Sequence, residues 1–361
     1  MNLRLIAAIA TAVALLPGAA PAAEPNSRSA AERTTDIVLA ELPEGEPLTT
    51  LYARDNVIHD GALVLPVDLA RPLRLLGRLS GGDYAVQTIG SSGYYGKLFR
   101  VDGETGDVVR IGRSYDLYRE PRIIRGGRYM AMNNGGPAPA RYGVLDTETG
   151  EFVATRRFPN HGEILDADDF RILIGTQARV TFYWFPFADR VRFVRKVFAD
   201  PRAADAKHGL AVLHPHEVGS DCPAMVRTKR PGKRLWEACK QAPLAFSPNG
   251  ERVAMVPYRG YEAVKGISEV RVRSVADGTL LRRFRGVEIE SLHWDGDDHL
   301  AMVVHDERRV AAVRCDLAGA CERVSDLVPE GRLDSYQLDW TFPVDREAWA
   351  SYEEDFYYDE Y

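Results

Sequence analysis

Apolar and polar positions along this chain repeat as pairs of short strands around a tight turn. The clearest copy is LAFSPNGERVAMV, Leu244 to Val256, in which Asn249-Gly250 reverses one apolar strand into another. The arrangement recurs at Gly81-Gly82 before DYAVQTI, Gly126-Gly127 before RYMAM and Asp168-Asp169 before FRILIG. It returns at His208-Gly209 before LAVLH, Asp297-Asp298 before HLAMVV and Val344-Asp345 before REAWASY. Counted from the second residue of each pair, the seven turns lie 45, 42, 40, 41, 48 and 47 residues apart. Gly, Asn and Asp suit these positions because they tolerate the positive φ of tight hairpins.

A second kind of turn falls between successive copies. Asp102 to Gly106 (DGETG) and Asp146 to Gly150 (DTETG) are its clearest forms, and Asp68–Pro72, Phe187–Arg190, Lys229–Lys233, Ser274–Gly278 and Asp316–Ala320 are weaker ones. Each sits between two more strands, so one period holds four strands, and a period of this length in an all-strand pattern marks propeller blades. The second kind comes first in the chain, near Ala70, and the first kind comes last, at Asp345. The C-terminal half-blade then lacks two outer strands that two N-terminal strands can supply. The expectation is an all-β fold, a single seven-bladed β-propeller with split-blade closure, which removes free sheet edges. A six-bladed or open arrangement is the alternative that the same spacing allows.

SPNGERVAMV followed by EVRVRSVADGTLLRRF resembles a blade of the TolB-like, YVTN-type and WD-repeat propellers. The resemblance covers most of the chain as architecture and one blade as a clear motif, and no blade has the Gly-His and Trp-Asp pair of true WD repeats. It implies a binding scaffold.

Composition adds compartment and partner class. The 361 residues are 45% hydrophobic, and the net charge of −6 argues against nucleic acid as partner, because phosphate recognition needs clustered positive charge. Residues 1–22 read as a secretory signal: Arg4, an apolar run from Leu5 to Leu16, then Pro17-Gly18 and the small-residue site Ala20-Pro21-Ala22. No later run is long enough to span a bilayer. The organisation expected is a signal at 1–22, a flexible segment at 23–36, the propeller at 37–352 and an acidic aromatic tail at 353–361, in a bacterial, secreted or extracytoplasmic monomer.

Four cysteines in an exported chain suggest two disulfides, and the blade register selects the pairing. Cys315 and Cys321 flank the turn Asp316–Ala320, and Cys222 and Cys239 flank Lys229–Lys233. Cys222–Cys239 and Cys315–Cys321 therefore lie across outer hairpins, where Cβ atoms come within reach.

Candidate chemistry centres on the longer connections, which share one face opposite the short turns, because binding residues gather on loops held by a rigid scaffold. The candidate ligand or partner residues there are Tyr94, Tyr95, Asn133, Asn134, Tyr142, His214, His216, Tyr258, Arg259, Tyr261 and His305. His214-Pro-His216-Glu217 has metal-ligand types but no evident third ligand, so no metal and no cofactor is expected. Asp166-Ala-Asp168-Asp169 and Asp295-Gly-Asp297-Asp298 resemble calcium-loop fragments or paired catalytic acids, but both occupy the repeating turn, where Asp is a turn residue. The basic run Arg227 to Arg234 reads as a charged strand edge or a contact for an anionic polymer. The sequence has no nucleophile elbow, P-loop, zincin helix motif or dinucleotide fingerprint. The functional expectation is a non-enzymatic scaffold that binds an unknown protein or cell-envelope polymer through the long-loop face. The alternative is a propeller enzyme of glycan hydrolase or lyase type, with its site at the channel mouth.

Overall fold

The computed structural model describes residues 33–70, 73–89, 96–114, 121–133, 140–158, 162–176, 180–196, 199–215, 222–257, 267–306, 308–329 and 340–341. Most of these residues lie in strands, and the sheets are built from antiparallel pairs. Sheet I holds Leu73–Arg78, Tyr84–Ile89, Gly96–Val101 and Val108–Ser114, hydrogen-bonded in chain order. Sheet II holds Arg122–Ile124, Tyr129–Asn133, Ala140–Asp146 and Phe152–Phe158. Sheet III holds Gly162–Ala167, Ile172–Thr176, Val180–Phe185 and Arg190–Lys196, and sheet IV holds Ala199–Asp205, Leu210–Pro215, Ala224–Arg227 and Arg234–Glu237.

Sheets V and VI are continuous through one 16-residue strand, Leu280–Asp295. Its first part pairs with Ile267–Ser274, which follows Gln241–Phe246 and Arg252–Pro257 in sheet V. Its second part begins sheet VI and pairs with His299–His305, followed by Arg309–Asp316 and Cys321–Arg323. A terminal sheet joins the chain ends in the order Trp340–Thr341, Tyr52–Arg54, Val57–Asp60 and Leu63–Pro66.

Six of the repeated turns, from Gly81-Gly82 to Asp297-Asp298, connect the first and second strands of sheets I to VI. Val344-Asp345 lies outside the described residues. Asp68–Pro72 is not an outer hairpin. It follows Pro66 and links the terminal sheet to sheet I, and the Asn56 side chain steers it by donating to Leu69 O and accepting from Leu73 N. The outer hairpin of the terminal sheet turns instead at Gly61, whose φ is +60°. Among the described residues this sheet has three strands from the N-terminal side and one from the C-terminal side; the second C-terminal strand of the expected two-and-two arrangement lies outside the described residues.

Apolar side chains alternate between the two faces of each sheet and fill the spaces between neighbours. Leu65 and Val67 pack with Leu75 and Val86 between the terminal sheet and sheet I, and Leu98 and Ile111 with Met130 and Leu145 between I and II. Val144 and Phe158 meet Ile174 and Trp184 between II and III, and Tyr183 meets Ala206 between III and IV. Val212 and Met225 meet Val253 and Met255 between IV and V, and Phe284 meets Met302 and Val313 between V and VI. Leu48 and Tyr52 pack on Ala301, Val303 and Val310, so the terminal sheet also meets sheet VI.

Residues 34–36, expected in a flexible leader, form a strand instead. Thr34–Asp36 pairs in parallel with Arg283, Phe284 and Arg285 on the outer edge of sheet V. Ile37 and Leu39 then plug the V–VI core at 1% exposure each, and Gly45 N and Pro43 O bond Arg323 on the outer strand of sheet VI. Gly286, at φ +100°, lets the backbones meet, because a Cβ there would lie 2.8 Å from Ile37 O.

Candidate functional site

The first strands of sheets II to VI stand side by side in chain order and line a cavity of about 240 Å³. Its apolar wall includes Leu165, Leu244, Phe246, Ile289, Leu292 and Trp294, and its polar groups are Arg122, Asp166, Asp205, Lys207, His208, Glu290, Ser291 and His293. Period-2 alternation of the inner strands explains the mixture, since successive side chains point to opposite faces.

Electrostatics divide the cavity's titratable groups. Burial pushes the Asp166 carboxyl up to about 6, against the opposing pull of Arg122 and of the Ala206 N–H, which donates to Asp166 Oδ2 at 2.6 Å. Burial pushes the His293 imidazole down to about 4, with Asp295 pulling the other way. Both side chains are surrounded by protein and keep partial exposure at the cavity they line. At neutral pH Asp166 is therefore ionised and His293 is neutral, able to donate from one ring nitrogen and accept at the other. Asp205 is occupied within its own turn: Oδ1 accepts from His208 N at 2.9 Å, and Oδ2 lies 2.6 Å from His208 Nδ1.

The two D-x-D-D segments carry a shared structural task. In sheet III, Asp166 accepts from Ala206 N of sheet IV, while Asp169 accepts from Arg125 N of sheet II at 2.6 Å. Asp168 caps its own turn through Phe170 N and Arg171 N. In sheet VI, Asp295 accepts from Thr50 N at 3.1 Å and Thr49 Oγ1 at 3.0 Å, ahead of the terminal sheet, while Asp297 accepts from Asn249 N of sheet V at 3.0 Å. Each segment thus latches the sheet before it and the sheet after it. The sequence assigned these acids to turn chemistry, and the structure adds that they join sheets. Among the described residues no three metal-ligating side chains gather.

The expected long-loop residues fall mostly elsewhere. Tyr94, Tyr95, Asn134, His216, Tyr258, Arg259 and Tyr261 lie outside the described residues. His214 belongs to the strand Leu210–Pro215, where it pairs with Asp200. Asn133 and Tyr142 are strand residues opposite one another in sheet II. Tyr142 is fully buried against Phe158, so it serves the core and not a binding loop. His305 lies beside the cavity: its Nε2 lies 3.7 Å from Glu288 Oε1 and 3.9 Å from Oε1 of the cavity residue Glu290. Sequence reasoning missed Arg122, Lys207, Glu290 and His293. Their shared signal is position on or next to the first strand of a repeat.

Both cysteine pairs are disulfides across outer hairpins, Cys222–Cys239 and Cys315–Cys321. No described helix is long and apolar enough to cross a membrane.

No family model matches the chain, and no curated protein matches it in sequence. Among solved structures it is similar to the β-propeller domain of Cps50 (Swd1) from Myceliophteria thermophila, with a TM-score of 0.52 and 9% identity over 77% of this chain and 89% of that one. The chain has the fold of a β-propeller. A functionally unknown protein from Desulfotomaculum acetoxidans matches this propeller at TM-score 0.51 and 12% identity, over 77% of this chain and 96% of its own. The uncharacterized lmo1340 of Listeria monocytogenes matches at TM-score 0.50 and 10% identity, covering 73% and 86%. In propeller terms the sheets are blades, and the cavity lies among their inner strands.

Proposed function

We propose that this chain is a secreted, non-enzymatic seven-bladed propeller that binds a protein or cell-envelope polymer. The terminal sheet is the seventh blade, closed by strands from both ends of the chain. The pairing of Ala53 and Arg54 with Thr341 and Trp340 supports this closure, as does apolar packing between each sheet and the next. Residues 1–22 are the export signal, the propeller extends to residue 352, and the two disulfides fit an oxidising compartment.

The observation that carries the binding reading is the commitment of two of the cavity's three carboxylates. Asp166 is bonded to a backbone N–H of the next blade and Asp205 to its own turn, so both hold the scaffold. The wall also carries Arg122, Lys207, Glu290, Ser291, His293 and apolar side chains, a mixed surface suited to recognition. His305, beside Glu290, stands at the rim of that surface in this reading.

The test is affinity capture from native culture fluid and cell envelope, run beside turnover assays on glycan and peptide panels. A retained partner that His293→Trp releases, with no turnover, is the expected result. Turnover abolished by Asp166→Asn, with nothing retained, overturns the proposal in favour of a propeller enzyme, a reading supported by the raised Asp166 and lowered His293 on one cavity wall.

A further inference from the structure

The N-terminal strand shows what a blade edge of this molecule accepts. Thr34–Asp36 adds in parallel to Arg283-Phe284-Arg285 on blade V. Backbone bonds run from Arg283 N to Arg33 O at 2.9 Å and from Ile37 N to Arg285 O at 2.7 Å. The Asp36 carboxylate receives Arg285 Nε at 2.6 Å. Phe284 is fully buried, with Ile37 and Leu39 in the same apolar cluster. An Arg-Phe outer strand thus receives an extended segment that brings hydroxyls, an acid and apolar residues.

Blade III repeats the host side of that arrangement. Its outer strand Arg190–Lys196 reads RVRFVRK, with Arg192-Phe193 matching Arg283-Phe284 and no acid among its seven residues. Among the described residues it pairs only with Val180–Phe185. Arg190 and Arg192 are exposed, and Phe193 is 54% exposed with its ring edge against Phe182. Phe187, 40% exposed, stands at the foot of the same strand with Arg125 over its ring. The nearby Asp189 is taken by Arg156 of blade II at 2.7 Å.

The outer strands of blades II, IV and VI are less suited. That of blade II buries Phe158, and its Arg156 is held by Asp189. That of blade IV is four residues long and pairs its Arg234 with Glu237. The edge of blade VI already carries Pro43 to Gly45.

We propose that the outer edge of blade III is a docking site for an extended acidic peptide of a partner protein, which adds as a strand with a carboxylate at Arg190 or Arg192 and an apolar residue over Phe193. This is β-augmentation, in which main-chain bonds give affinity and alternate side chains give selectivity. Charge complementarity with a row of arginines chooses an acidic partner. The inference goes beyond the binding-module reading and does not depend on the cavity.

The test is fluorescence anisotropy of the full chain with a labelled peptide Thr-Thr-Asp-Ile-Val-Leu, the sequence of residues 34–39. The expected result is saturable binding, weakened about tenfold by Arg192→Glu and by replacing the peptide's Asp with Lys, since like charges then oppose. Binding also weakens in about 1 M NaCl, where the Debye length falls to about 3 Å. No saturable binding up to about 1 mM peptide overturns the proposal. So does binding that ignores Arg192→Glu and is lost with Arg285→Glu, because the probe would then be replacing the N-terminal strand on blade V. Because Arg192 is exposed, its variant keeps the fold, which a matching thermal melt verifies. A natural partner that Arg192→Glu still captures would leave the binding-module reading standing and overturn this one.

Discussion

Asp295 offers the sharpest test of the inter-blade latches. Its side chain is 4% exposed, accepts from Thr50 N and Thr49 Oγ1, and lies 3.5 Å from Arg314. Asp295→Ala leaves the Thr50 N–H without that acceptor, a loss of about 1–3 kcal/mol. Arg314 keeps its ion pair with Glu322, so the full 3–5 kcal/mol penalty of a broken buried pair does not apply. A total near 3 kcal/mol follows, which for a domain of this size lowers Tm by about 5 °C. Asp295→Asn keeps one acceptor oxygen and loses about 1 kcal/mol. The side chain of Asp297, at an exposed position, accepts from Asn249 N, so Asp297→Ala also loses about 1 kcal/mol. Scanning calorimetry ranks the three variants. Hydrogen exchange then locates the effect: with Asp295→Ala, protection falls first in Tyr52–Pro66, beyond the latch, and Tyr84–Ile89 stays protected. Equal Tm losses for Asp295→Ala and Asp297→Ala, or exchange that rises evenly across all blades, would refute the latch.

Four further outcomes are expected. Asp166 binds its proton more tightly folded than unfolded, so its contribution to stability falls as pH rises from about 3.8 to about 6, whereas His293 binds its proton less tightly folded, so its contribution grows from about 4 to about 6.5. His293→Gln should therefore lower the slope of stability against pH in that window and Asp166→Asn should raise it, as urea titrations at several pH values will show. Replacing both Cys222 and Cys239 by Ala should lose about 3 kcal/mol, and the same change at Cys315 and Cys321, which close a shorter loop, about 2 kcal/mol, by guanidinium unfolding. Ile37→Ala should lose about 2–4 kcal/mol and speed proteolytic cutting between Arg33 and Leu48. Gly127→Ala should prevent stable folding in a solubility assay, because at φ +96° its Cβ would lie 2.3 Å from the Leu79 and Ser80 backbone of the neighbouring turn.

What the sequence revealed and what it hid follow from the range of the interactions. Turns such as Asn249-Gly250 and Asp146–Gly150 are set by residues a few positions apart, so their spacing was legible along with the strands they join. The cysteine pairs were legible for the same reason, since each flanks one such turn. Asp68–Pro72 misled because Pro and Asp mark any turn, whereas the element that decides its path is Asn56, twelve residues before Asp68 and fixed only by the fold. The strand at Thr34–Asp36 was invisible because TTDIVLA has no alternation strong enough to mark a strand. It exists because blade V presents an Arg-Phe edge some 250 residues away. The cavity was harder still: Arg122, Lys207, Glu290 and His293 each look ordinary in their own repeats, and only the side-by-side placement of inner strands brings them to one wall. Local order thus writes the scaffold into the chain, while sites assembled from several blades leave only a positional trace. In such a fold the residues to test first are polar ones on first strands, where a repeat that needs only apolar packing has no use for them.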